Sequence, residues 1–131
     1  MMSAMEKKWK FLVIADDTPE FKKVLRLASL RAAKVNGSMV MLRIIQPSEF
    51  QHWMSVREIM EEEAMQEAEE MMNEFAREVK EISGLDCEKV IRKGEPGDVI
   101  TQYIEEDQEI HMLVLGAALW LDLELVSSKS C

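Results

Sequence analysis

Two rhythms of apolar residues alternate along the chain. Phe11 to Ala15, behind Trp9 and Lys10, is an unbroken apolar run, the pattern of a strand buried on both faces. It gives way to "DDTPEFKKVLRLASLRAAKVNG", where Val24, Leu25, Ala28, Ala32 and Val35 recur at helical spacing. Thr18 before Pro19 predicts an N-cap with proline at the first helical position, and Gly37 predicts the helix end. "SMVMLRII" is a second apolar run, stopped by Pro47.

The stretch from Ser48 to Ser83 carries Trp53, Val56, Met60, Ala64, Ala68, Met71, Phe75, Val79 and Ile82 at spacings of three and four. One continuous helix of that length would run roughly 50 Å. A loop near residues 47–55 and then a helix to about Ile82 is the expectation, with Glu61 to Glu63 on a solvated face. "CEKVIRKG" predicts a third strand centred on Val90 and Ile91. "EPGDVITQYIEEDQ" predicts a third helix with Val99, Ile100 and Ile104 inward, and "IHMLVLGA" a fourth strand.

Strand, helix and strand in turn make right-handed crossovers between parallel strands, with helices on both faces of an open, twisted sheet. Ligands of such sheets sit at the carboxyl ends of the strands, where the strand order reverses. With strand 1 beside strand 4, that crevice lies between "ADDT" and "LGAA". The 131 residues suffice for one core and not for two. A single domain over 1–131 is therefore expected, with residues 1–8 as an extension and 119–131 as an atypical tail.

Charge narrows the partners. A net charge of -9 disfavours nucleic acid, which needs clustered Lys and Arg, and anionic membrane surfaces. A single bound nucleotide stays compatible, because helix-start N–H groups hold phosphate without basic side chains. No secretory leader or membrane span is read in the chain. Cys87 and Cys131 follow no metal spacing and make no disulfide framework, so a reduced cytoplasmic compartment is expected. His52 and His111 lack further ligands nearby. No Ser or Cys has a base partner at a recognisable spacing, so nucleophilic catalysis has no support.

Two resemblances attach to the strand-end residues. "FLVIADDTPEFKKVL" is similar to the start of a phosphorylated receiver domain. That chemistry needs an Asp after strand 3, a hydroxyl residue after strand 4 and a later Lys, and "RKGEP" and "LGAA" supply none of them. The broader resemblance, from Trp9 to Ala117, is to the universal stress protein family. It is carried by "ADDT" after strand 1, by "SMVMLRIIQP", and by "VIRKGEPGDVITQYIEEDQEIHMLVLGA" with its G-x-P, Ile-bearing helix and glycine-ended strand.

That resemblance implies a Rossmann-like, adenine-nucleotide alpha-hydrolase-like fold with strand order 3-2-1-4 and a fifth strand, here missing or replaced by the tail. It implies that Asp16 lies beside a bound nucleoside, with Thr18 in the same loop, that the backbone of Ile44 contacts adenine, and that Gly116 opens the phosphate loop. The loop's second glycine would be residue 119, which is Leu119, and no glycine follows Gly116. The departure after Ala118 is read as a truncated or frame-shifted carboxyl terminus. The expected function is stress response or signalling through partner interactions, as a homodimer with an unknown protein partner. Catalysis and a resident cofactor are not expected. The alternative is an ATP- or adenine-nucleotide-binding stress protein with atypical phosphate contacts, weak ATP hydrolysis included.

Overall fold

A computed structural model describes residues 9–46 and 54–115, and the side chains of all of these except 54–60. Four strands form one parallel sheet in the order β3-β2-β1-β4: β1 (Lys10–Ala15), β2 (Ser38–Ile45), β3 (Glu88–Lys93) and β4 (Ile110–Val114). Three helices connect them: α1 (Pro19–Lys34), α2 (Met54–Ser83) and α3 (Pro96–Glu106). The order is the expected one. The N-terminal extension, Pro47, His52, Gly116 and the tail from Leu119 to Cys131 lie outside the described residues, as do Trp53 and the side chains of Val56 and Met60.

Both faces of the sheet are packed, which is why β1 reads as a continuous apolar run. Phe11, Val13, Ala15, Met39 and Met41 face α1 and α2 and meet Phe21, Leu25, Met72, Phe75 and Val79. Leu12, Ile14, Val40, Leu42 and Ile44 face the other way, onto Val99, Ile100 and Tyr103 of α3. The first two crossovers run from β1 toward β3 and the third returns past β1 to β4. Right-handedness therefore places α1 and α2 on one face and α3 on the other.

The inward stripe of α1 differs from the expected one. Phe21, Leu25, Ala28, Ser29 and Ala32 are buried and Val24 is partly buried, whereas Val35 is exposed. Val35 is the C-cap, so the helix has already ended where the periodicity still counts it. Nor does Gly37 take the left-handed position. Asn36 does, at φ 57°. The N–H of Asn36 donates to the Ala33 carbonyl and that of Gly37 to the Ala32 carbonyl, the paired bonds of a Schellman ending. Gly37 is needed for a different reason. A Cβ there would stand 2.5 Å from the Trp9 carbonyl oxygen, which accepts the Ser38 N–H at 2.8 Å and opens the β1–β2 ladder.

In α2, Ala68, Phe75 and Val79 are buried and Ala64, Met71 and Ile82 partly so, as the spacing predicts. Met72, one residue off that series, is also fully buried. Glu62 and Glu63 are solvated, but Glu61 bridges to Lys93 at 3.5 Å. In α3, Val99 and Ile100 are buried and Ile104 partly buried, with Tyr103 buried beside them. The start of β1 is tied to the end of α3 by an ion pair between Lys10 and Asp107. That hydrogen bond raises the Lys10 pKa above and holds the Asp107 carboxyl below their ordinary values.

Candidate nucleoside site at the carboxyl edge of the sheet

The order β3-β2-β1-β4 puts the reversal of chain direction between β1 and β4, where sheets of this kind bind ligands. Asp16 is the first residue beyond β1 and is only 7 % exposed. Its Oδ1 accepts the Thr18 N–H at 2.9 Å and the Thr18 hydroxyl at 2.6 Å, a local Asx-type turn that fixes the carboxylate against the chain. Its Oδ2 is buried and has no hydrogen-bond partner among the described residues. Leaving a buried acceptor unsatisfied costs about 1–3 kcal/mol, more for a charged one. Orphan groups of this kind mark sites where a ligand donor completes the network.

Thr18 sits at the N-cap of α1 with extended backbone, φ -81° and ψ 152°, and Pro19 follows it as expected. Its side chain does not cap the helix, contrary to the sequence expectation. The Thr18 hydroxyl instead donates to the Asp16 carboxylate, a charge-assisted bond. Asp16 and Thr18 therefore act as one unit, and Asp17, between them, is exposed.

The parallel register pairs Ile14 with Leu42 and Ala15 with Arg43. The next residues, Asp16 and Ile44, thus lie side by side, Asp16 just beyond β1 and Ile44 still inside β2, where it pairs with Arg92. The Ile44 side chain is buried in the α3-side core, so only its backbone can meet a ligand. Its carbonyl accepts a long bond, 3.4 Å, from Arg43 Nη1. Gly116, the fourth predicted residue, lies outside the described residues. The described chain reaches Leu115, which packs against the α3-side core.

Two residues of this edge were assigned no site role from the sequence, Gly94 entering only as the glycine of G-x-P. Gly94 takes φ 145°, and its N–H donates to the Ile45 carbonyl at 3.0 Å, which fastens the β3–α3 turn beside the end of β2. Arg43 is the one charged residue within "SMVMLRII", and that anomaly was its signal. It borders a cavity of about 560 Å³ between α2 and the ends of β1 and β2, on the face opposite α3. Asp17, Glu63, Glu67, Glu70 and Glu74 line the same cavity. Five carboxylates around one guanidinium make it hostile to phosphate.

The helix starts at this edge are acidic as well. Asp17 and Glu20 flank the start of α1, and Glu95 and Asp98 that of α3. Residues 16–20 and 94–98 contain no Lys or Arg. Among the described residues no group of three or more His, Cys, Asp or Glu could hold a metal ion, and no helix is long and apolar enough to cross a membrane.

Comparison with known proteins agrees with the fold. The universal stress protein family matches residues 9–119. The chain is similar in structure to the universal stress protein UspA from Lactobacillus plantarum, with TM-score 0.71 and 21% identity over 82% of this chain and 75% of that one. It is also similar to the universal stress protein from Archaeoglobus fulgidus in complex with dAMP, with TM-score 0.69 and 19% identity over 92% and 90%. A universal stress protein in complex with cAMP gives TM-score 0.66 and 15% identity over 92% and 89%. No curated protein matches the chain.

Proposed function

Since the chain belongs to the universal stress protein family, matched over residues 9–119, we propose that it is a cytoplasmic stress-response or signalling module that works through partner interactions. Its nucleotide site keeps an adenosine-sized notch and has lost productive triphosphate binding. The observation that carries this reading is the charge at the carboxyl edge. Phosphate is normally held by the positive end of a helix. Here both helix starts at that edge carry their own carboxylates, and their loops offer no basic side chain. The sequence adds that Leu119 stands where the phosphate loop would need a glycine. The Oδ2 of Asp16, buried and without a partner among the described residues, supports a remaining acceptor for a ribose hydroxyl or an amino group.

A notch without phosphate contacts binds in the millimolar range, about -4 kcal/mol, against about -8 kcal/mol for a micromolar site. Calorimetry at about 100 μM protein should give no ATP isotherm. Millimolar adenosine should shift the amide resonances of Asp16 and Thr18, and Asp16→Ala should abolish that shift. A low-micromolar ATP affinity, or ATP carried through purification, would instead establish the second reading, an adenine-nucleotide-binding stress protein with atypical phosphate contacts. The dAMP and cAMP complexes of similar proteins favour that second reading.

The module is proposed to act as a homodimer. Trp9, Leu30 and Met112 leave apolar side chains exposed, surface that a second copy would cover. Light scattering at about 100 μM should give the mass of two chains, and a monomer there would rule the dimer out.

A further inference from the structure

Charge is divided unevenly among the helices. α1 holds five basic residues, Lys22, Lys23, Arg26, Arg31 and Lys34, against the single acid Glu20, in a chain of net charge -9. α2 and α3 are acidic. Lys22 bridges to Glu78 of α2 at 3.7 Å. Lys23, Arg26, Arg31 and Lys34 are exposed and form no ion pair among the described residues. Lys23, Arg26, Leu30 and Lys34 recur at spacings of three and four, so they lie along one line of the helix. The buried stripe of Phe21, Leu25, Ala28 and Ala32 lies on the opposite side. Leu30 is 41 % exposed in the midst of these cations. Unpaired cations around an exposed leucine, on an acidic molecule, make a face fit for an acidic partner.

The chain carries such a surface itself. Glu63, Glu67, Glu70 and Glu74 recur at the same spacings on α2 and span the same length as Lys23 to Lys34, roughly 16 Å. They are exposed, and none has an ion-pair partner among the described residues. Like charges three and four residues apart repel, so this line is unfavourable until cations meet it. The four border the cavity of about 560 Å³, which Ile45, Ala64, Ala68 and Met71 also line. Arg43 is the one cation of that lining, against five carboxylates. Carboxylates beside apolar residues on α2 are the counterpart of cations beside a leucine on α1.

We propose that a second copy of the chain docks on this helical layer, with the Lys23–Lys34 line of α1 in each copy lying along the Glu63–Glu74 line of α2 in the other. Leu30 then faces the apolar lining between the carboxylates. α1 and α2 cover the same face of the sheet, so one two-fold contact makes both halves of the interface, as a self-complementary pairing requires. Pairing α1 with α1 would set cation against cation, and α2 with α2 acid against acid, so the charges also fix which helix meets which. The inference rests on the homodimer reading and gives that dimer its interface. It stands whether or not adenosine binds.

Two full-length variants test it. One carries Lys23→Glu, Arg26→Glu and Lys34→Glu, the other Glu63→Lys, Glu67→Lys and Glu70→Lys. All six positions are exposed. In light scattering at about 100 μM, where the parent should have the mass of two chains, each variant alone should fall to the mass of one. Like charges would then meet at both halves of the contact. Mixing the two variants in equal amounts should restore the mass of two chains. In the mixed pair each altered face meets an altered one of opposite sign, and each native face a native one. That recovery also shows that both variants are folded. A monomeric parent would remove the homodimer reading and this inference with it. A dimeric parent whose variants stay dimeric alone, or fail to recombine on mixing, would overturn this inference and leave the homodimer standing.

Discussion

Replacing Phe21 by alanine should remove about 3–5 kcal/mol of stability, the usual cost of deleting a fully buried phenylalanine. Phe21 lies in the first turn of α1 and is 0 % exposed. Its ring meets that of Phe75 on α2, with centroids 5.0 Å apart and planes inclined at 56°, an arrangement that adds to simple burial. The pair joins the two helices that cover one face of the sheet, so the cavity would open at their junction. Natural domains hold only about 5–15 kcal/mol in total, and the variant should come close to unfolding. Urea denaturation followed by far-UV circular dichroism should show a lower midpoint with an unchanged slope. Leu27→Ala is the matched control. Leu27 is 69 % exposed, and its loss should stay within about 0.5 kcal/mol. Equal losses for the two variants would show that α1 does not pack through Phe21.

Gly37→Ala should cost about 1–3 kcal/mol by overpacking. The added Cβ would stand 2.5 Å from the Trp9 carbonyl oxygen and 3.4 Å from that of Ala32. Neither is a flexible side-chain tip that could swing away. The Trp9 oxygen is held by the Ser38 N–H, and the Ala32 oxygen accepts the Gly37 N–H at 2.7 Å. Relief of the clash must therefore loosen either the start of the β1–β2 ladder or the ending of α1. Gly97→Ala should move the opposite way. Gly97 lies in α3 with nothing within 4 Å of the added atom, and alanine there should stabilise by about 0.4–1 kcal/mol through the unfolded state. Thermal melts of the two variants should bracket the parent protein. A Gly37→Ala melt at or above the parent temperature would mean that the two strands open at their amino ends without cost.

The split between these two glycines illustrates how far local reading reaches. Both stand near helix ends, where glycine is ordinary, and the sequence alone assigns Gly37 to the left-handed ending of α1. That conformation falls on Asn36 instead. The constraint on Gly37 comes from Trp9, a residue far back in the chain that β-pairing brings to it. Thr18 follows the same logic. Its N-cap position and Pro19 were legible, but its hydroxyl turned to Asp16 because a fixed carboxylate lay within reach.

The candidate site was legible in its position and only partly in its parts. Asp16 and Ile44 could be placed at one edge because strand ends gather there in any parallel sheet. The register of β1 and β2 brings them side by side. Arg43 was visible as a charge inside an apolar run, but not its cavity, which α2 builds with Glu63, Glu67, Glu70 and Glu74. Those acids belong to the solvated face of a long helix. Only the approach of that helix to the ends of β1 and β2 sets them around a guanidinium.

By itself the sequence determined the alternation of strand and helix, the parallel sheet with both faces covered, and the family resemblance. Those properties rest on hydrophobic period and element order, which each segment carries locally. Tertiary structure decided which apolar residues are core, with Phe21 in and Val35 out. It also decided that one oxygen of Asp16 is satisfied and the other buried without a partner among the described residues, and that β3 is a charged edge while β4, whose one strand neighbour among the described residues is β1, is apolar. Burial, hydrogen-bond satisfaction and edge position depend on which distant segments come to lie alongside, and a period of two or 3.6 residues along the chain carries no record of that.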